Sequence, residues 1–188
     1  NTKNANKMNY MFSVMGTVPN PIAIDPIDLS KLNTGGVTEM MGMFRGSYVP
    51  TLDVSHFDMR SVENIAQMFS ALKNVTTLDV SHFNTPRLNW MGAVFWNSDR
   101  ITSLDLSSWD TKSVTSMVYL FAGMSSLSSL NISNFNTGNV TIMANMFDGT
   151  KSLTSLDLSH FDTSKVESMS SMFQDMESLQ TINLSGFN

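Results

Sequence analysis

Histidine and carboxylate are the side chains of this chain whose types could do chemistry, and both recur at fixed intervals. His56, His82 and His160 end the runs Asp53-Val-Ser-His56, Asp79-Val-Ser-His82 and Asp157-Leu-Ser-His160. Imidazole titrates near neutrality, so it could serve catalysis, zinc ligation or a pH-sensitive contact. Yet the three histidines occupy one repeat position, which Ser108 and Asn134 fill in two other copies. A position inherited by repetition explains that pattern better than an assembled active centre. His56 and His82 would still lie on adjacent units, close enough to share a ligand or to repel when protonated.

The acids form columns. The first is Asp28, Asp53, Asp79, Asp105, Asn131, Asp157 and Asn183, with a serine two residues after each. A second runs Asn33, Asp58, Asn84, Asp110, Asn136, Asp162 and Asn188. Both suit side chains that hydrogen-bond the backbone at turns. The first column also leaves room for a polar ligand or a weak cation. It lacks the charge-dense loop of a calcium site, so no metal is expected. Acids in translational ladders do not build one asymmetric pocket. No Gly-x-Ser-x-Gly elbow, His-Glu-x-x-His, P-loop or dinucleotide fingerprint occurs. Cysteine is absent, which removes thiolate nucleophiles, disulfides and Cys-ligated zinc. The chain reads as a non-enzyme without a cofactor.

Recognition is the other chemistry the residues offer. Residues 78–103 carry Trp90 and Trp96, with Tyr119 on the next unit. The positions equivalent to Trp90 hold Asn64, Ser116, Ile142 and Ser168, and those equivalent to Trp96 hold Ser70, Ala122, Asp148 and Gln174. Large aromatics among mostly small or polar equivalents are expected to be partly exposed, and either to anchor a partner or to fill a groove between helices. Trp90, Trp96 and Tyr119 are therefore the preferred partner-binding residues. The rival site lies on the strand face, with His56, His82, Asp53, Asp79 and Asp105.

Composition narrows the partners. The net charge is −5 and no basic run exists, which argues against a nucleic-acid footprint. No run of ~18 apolar residues occurs, so no direct membrane insertion is expected in this segment. No signal peptide or sorting tail is visible. Charged residues make up 14%, against ~25% in ordinary domains. Serine and threonine fill 44 of the 188 positions, so the surface is dressed with hydroxyls.

The elements that must position these residues follow from a strict period. Leu-Asp-Val-Ser-His-Phe at Leu52 returns at Leu78, Leu104, Leu130, Leu156 and Ile182, each step being 26 residues, after a copy at Ile27 that sits 25 residues earlier. Leu156 and Leu158 alternate with Asp157 and Ser159, the pattern of a strand buried on one face. Val166, Met169, Met172, Phe173 and Met176 follow at spacings of three and four, which predict a helix, and Ser164-x-x-Glu167 reads as its capping box. The methionines on this stripe (Met43, Met68, Met117, Met143 among them) read as core filling. The expected fold is α/β: a solenoid of 26-residue strand–helix repeats with a parallel sheet on the concave face. Strands at ~4.8 Å and helices at ~8–10 Å would curve it. Residues 1–26, with Pro19 and Pro21, read as an irregular N-terminal cap or leading half repeat. Residues 27–188 read as an array of five complete 26-residue repeats, preceded by the 25-residue copy at Ile27 and followed by a final strand. That last strand has no helix after it, so further repeats or end-to-end pairing are expected.

The unit Leu-Thr-Ser-Leu-Asp-Leu-Ser-His-Phe-Asp-Thr-Ser-Lys-Val-Glu-Ser-Met-Ser-Ser-Met-Phe at 153–173 resembles the BspA-like leucine-rich repeat of bacterial surface proteins, at every unit from 27 to 188. The family's frequent cysteine is replaced here by Leu72, Ser98, Met124, Thr150 and Met176. The resemblance implies an extracellular protein of the bacterial cell surface, an adhesin that binds a macromolecular partner: host matrix protein, glycan or another cell. The alternative is a passive spacer in a larger surface array. Ice binding ranks last, because aspartates interrupt the strand face and curvature is expected.

Overall fold

The computed structural model describes residues 2–14 and 26–188. The expected helices are not there. Among the described residues the regular elements are four three-residue strands: β1 (Ser103–Asp105), β2 (Ser129–Asn131), β3 (Ser155–Asp157) and β4 (Thr181–Asn183). β1 pairs with β2 and β3 with β4, both parallel, with Leu104 opposite Leu130 and Leu156 opposite Ile182. The α/β strand–helix leucine-rich-repeat solenoid is thus corrected to a helix-free stack of 26-residue coils. The single parallel sheet is corrected to two separate pairs of strands.

Backbone hydrogen bonds show why no helix forms. A helix needs each N–H to reach the carbonyl four residues back. In the unit from Met117 to Met124, the N–H groups of Met117, Tyr119, Phe121 and Gly123 instead donate to Ile142, Ala144, Met146 and Asp148 of the next coil, at 2.7–3.1 Å. Those of Leu120, Ala122 and Met124 donate three residues back, at 3.2–3.3 Å. This alternation requires the chain to reverse its hand every fourth residue. Gln67 and Ala71, Ala93 and Asn97, Tyr119 and Gly123, and Asn145 and Gly149 all have φ between 53° and 72°. The apolar spacing of three and four belongs to this staircase of turns. Ser164 and Glu167 cap nothing; the Glu167 N–H donates to Thr141 O at 2.8 Å.

The staircase stacks where helices could not. Phe12, Phe44, Phe69, Phe95, Phe121, Phe147 and Phe173 lie face to face with centroids 5.5–6.0 Å apart. Packed helices would sit ~8–10 Å apart. On the opposite wall Phe83 stacks on Trp109 at 5.9 Å. Both walls advance by similar steps, so the mismatch expected to make one face concave has no source. We call these the turn wall and the strand wall. Between them lie columns of buried Leu, Val, Met and Phe, including Leu104, Leu156, Phe83, Trp109, Phe135 and Phe161.

The first described segment joins the same stack. Lys7 forms a parallel bridge with Glu39, and the N–H groups of Tyr10, Phe12 and Val14 donate to Met41, Met43 and Arg45. Pro19 and Pro21 lie outside the described residues.

Candidate functional site

The carboxylate columns are built into the coils. In the first column a side-chain oxygen of Asp28, Asp53, Asp79, Asp105, Asn131, Asp157 and Asn183 accepts the N–H of the serine two residues on, at 2.9–3.3 Å. These are Asx turns. Accepting such bonds favours the ionised form. The Ser55 N–H and hydroxyl therefore hold the Asp53 carboxyl below its ordinary range. The Ser81 hydroxyl and N–H do the same for Asp79, and the Ser107 N–H and hydroxyl for Asp105. The second column repeats the device at Asn33, Asp58, Asp110, Asn136 and Asp162. Asn84 is followed two residues on by Pro86, which has no N–H to give.

The histidines are exposed and their rings stand edge-on to the next residue, His82 to Phe83 at 4.9 Å and His160 to Phe161 at 5.1 Å. His82 Nε2 lies 3.1 Å from Val54 O, and His160 Nε2 3.0 Å from Ile132 O. A carbonyl only accepts, so both rings carry their proton on Nε2. His56 and His82 are thus separate supports on successive coils, each against its own phenylalanine. Among the described residues no group of three His, Cys, Asp or Glu could hold a metal ion.

The strand wall is not continuous. Among the described residues its ladder closes between coils 104 and 130 and between 156 and 182, and nowhere else. At two of the open steps lie clefts. One, of about 300 Å³, opens between Leu78–Ser81 and Ser103–Asp105, with Asp79 and Asp105 on its sides. The other, of about 280 Å³, opens between Leu130–Ser133 and Ser155–Asp157, with His160 at its edge. The structure therefore brings Asp79 and Asp105 to one cleft, while Asp53, His56 and His82 line neither.

The aromatic residues lie on the turn wall and its flank. Trp90 is 56% exposed and Tyr119 40%. Trp96 is half-buried, its ring 6.0 Å from that of Tyr119 and tilted 46° to it. The structure pairs Trp96 with Tyr119 and leaves the Trp90 indole without a ring partner. Trp90 bridges back to Asn64, but no bridge joins it to Ser116, so the turn-wall column is interrupted beside the aromatics. Tyr119 also holds φ at 55°, where a large side chain is unusual.

One group of residues escaped the sequence reading. Thr34, Thr85, Thr111, Thr137 and Thr163 are buried. Each Oγ1 accepts the N–H of the second-column residue on the next coil, at 2.7–2.9 Å. Thr111 and Thr137 also donate to the carbonyl of that same residue, at 2.9–3.0 Å. The signal was a threonine directly after Asn33, Asn84, Asp110, Asn136 and Asp162, broken only by Met59.

Comparison with known proteins finds one family. The model of a family described as "Mycoplasma protein of unknown function, DUF285" matches residues 6–103 and again residues 97–188. No curated protein and no solved structure matches the chain. The expected kinship with BspA-like leucine-rich-repeat proteins is corrected on two grounds: the matching family is a different one, and the coil lacks the helix such a strand–helix repeat requires. The two matches together run from residue 6 to the last residue, and the chain belongs to the Mycoplasma protein family of unknown function DUF285.

Proposed function

We propose that the chain is a non-catalytic binding module of the bacterial cell surface, an adhesin-type domain that takes a macromolecular partner through Trp90, Trp96 and Tyr119. The observation that carries this is the exposure of Trp90 and Tyr119 on a surface whose equivalent positions are mostly small or polar. Binding energy concentrates in a few aromatic anchors, and losing one commonly costs ~2 kcal/mol or more. The absence of cysteine is as compatible with export as with the cytosol, so the extracellular placement is part of the proposal itself. The non-catalytic reading is supported by the carboxylates, which serve as turn acceptors. The test is adhesion to immobilised matrix proteins. Trp96→Ser with Tyr119→Ser should abolish it and leave the melting temperature almost unchanged, while His56→Ser with His82→Ser should do little. Loss of adhesion in the histidine pair alone would move the site to the strand wall.

The self-satisfied Asp and Thr columns favour a second reading, a passive spacer in a longer array. A spacer would bind none of the immobilised proteins. Ice binding gains nothing from the threonines in strict register, since their hydroxyls are buried between coils.

A further inference from the structure

The two strand-wall clefts occur at steps that share one feature. At every open step between coils 52 and 182 a ring N–H of the following coil reaches back to the same carbonyl of the preceding one. His82 reaches Val54 O, Trp109 Nε1 reaches Val80 O at 3.1 Å, and His160 reaches Ile132 O. At the two closed steps no ring reaches that carbonyl. Asn134 stands at the histidine position of coil 130 and turns aside to Ser107 O. Gly186 stands there in coil 182, and a Cβ on it would collide with the carbonyls of Ser159 and Phe161. The closed step at Gly186 is therefore too tight for a side chain between the coils. The rings stand at steps where the ladder is open.

Each opening has the chemistry of a sugar site. Its floor is aliphatic, Leu78 and Val80 in one cleft and Leu130 and Leu156 in the other. Its rim offers acceptors and hydroxyls: Asp79, Asp105 and Ser103 in the first, Asn131, Asp157 and Ser155 in the second. A neutral sugar ring presents C–H groups to such a floor and hydroxyl donors to such a rim. No Lys or Arg lines either cleft, and the rim carboxylates repel an anion. Each volume is near the lower end of small-ligand sites, room for a single ring. The clefts are two coils apart, which is about 10–12 Å at ordinary coil spacing, close to a disaccharide unit of an extended polysaccharide.

We propose that the strand wall binds an extended neutral polysaccharide, with alternate sugars seated in the clefts at Asp79–Asp105 and Asn131–Asp157, and that Trp109 and His160 hold these clefts open. This site is independent of the aromatic patch. Linking two such subsites raises affinity without new contacts, because the second event becomes intramolecular.

The probes are neutral β-1,4-linked glucose and N-acetylglucosamine oligomers of two to six units, titrated against the intact chain. Affinity should rise at least tenfold from dimer to hexamer. Ser103→Tyr or Ser155→Tyr, each filling one cleft from an exposed position, should return the hexamer to dimer-like affinity. His160→Asn, the residue type of coil 130, should do the same and slow amide exchange at residues 155–157 as the ladder closes. The proposal fails if no oligomer binds at millimolar concentration, or if affinity is independent of length. It also fails if both tyrosine variants bind the hexamer like the parent. Loss of oligomer binding in the Trp96/Tyr119 pair alone would place the sugar on the aromatic patch, overturning this site while leaving the proposed function intact.

Discussion

On the turn wall the N–H groups of Met117, Tyr119, Phe121 and Gly123 all reach the next coil. On the strand wall, among the described residues, two of the coil steps close a ladder, and at three others a side-chain ring spans the step. The turn wall is held by backbone that any sequence supplies once the left-handed residues are in place. The strand wall is held by chosen side chains, so it can be opened at one coil without disturbing the next. The structure thus separates a wall that maintains the stack from a wall free to vary.

The largest effect should come from the turn-wall core. Phe121 is fully buried and stacks on Phe95 and Phe147 at 5.9 and 5.5 Å. Phe121→Ala should cost about 3–5 kcal/mol. Phe135→Ala on the strand wall should fall at the lower end of that range, because its buried ring has no stacked partner. Chemical denaturation of both variants checks the order, and a costlier Phe135→Ala would reverse the comparison. Next comes the threonine between the walls. Thr111→Val leaves the Asn136 N–H and carbonyl without their partner, an expected loss of about 1–3 kcal/mol. A change within error would show that Thr111 only fills space.

A smaller effect of opposite sign tests the left-handed positions. Gln67 holds φ at 59°. Its replacement by glycine removes a strain of roughly 1 kcal/mol but loosens the unfolded chain. Gln67→Gly should therefore raise the melting temperature slightly, where glycine in a true helix would lower it.

The smallest effect distinguishes the walls by pH. On the strand wall Asp53, Asp79 and Asp157 are held below the ordinary aspartate value of 3.8 by hydrogen bonds from their serines. Their contribution to stability is present above that value and is lost as pH falls through the lowered one. On the turn wall burial and the charge of Asp175 push Asp148 up from 3.8. Its ionisation opposes folding, so its effect grows as pH rises from 3.8 through the raised value. Asp148→Asn should gain slightly at pH 7, and Asp79→Ala should weaken the acid dependence below 3.8. Thermal melts from pH 3 to pH 7 read both.

Much of this was legible in the sequence and some was misread for a physical reason. The period, the Leu and Phe columns and the turn-forming Asp columns follow directly from residue types at fixed spacing. The helix did not, because apolar residues three and four apart fit both a helix and a staircase of turns. Gly42, Gly46, Gly123 and Gly149, at the left-handed positions, marked the difference. The exposure of Trp90 could be anticipated from its polar equivalents. The pairing of Trp96 with Tyr119 could not, since it depends on the exact stagger of two coils. The clefts lie where a ring reaches back to the preceding coil, His160 at the histidine position and Trp109 one residue beyond it, and no pattern within a single unit reveals that.

The buried threonines have one more consequence, for how such a chain changes over generations. Thr85, Thr111 and Thr137 present the same atoms to the coil above that they meet in the coil below. A duplication or deletion of one 26-residue unit among them rejoins matching surfaces, so array length can drift by unequal recombination without a misfit at the seam. Met59 interrupts this, offering no hydroxyl to Asn84. The joint between coils 52 and 78 lacks this bond, so a unit exchanged there would not meet the same atoms on both sides.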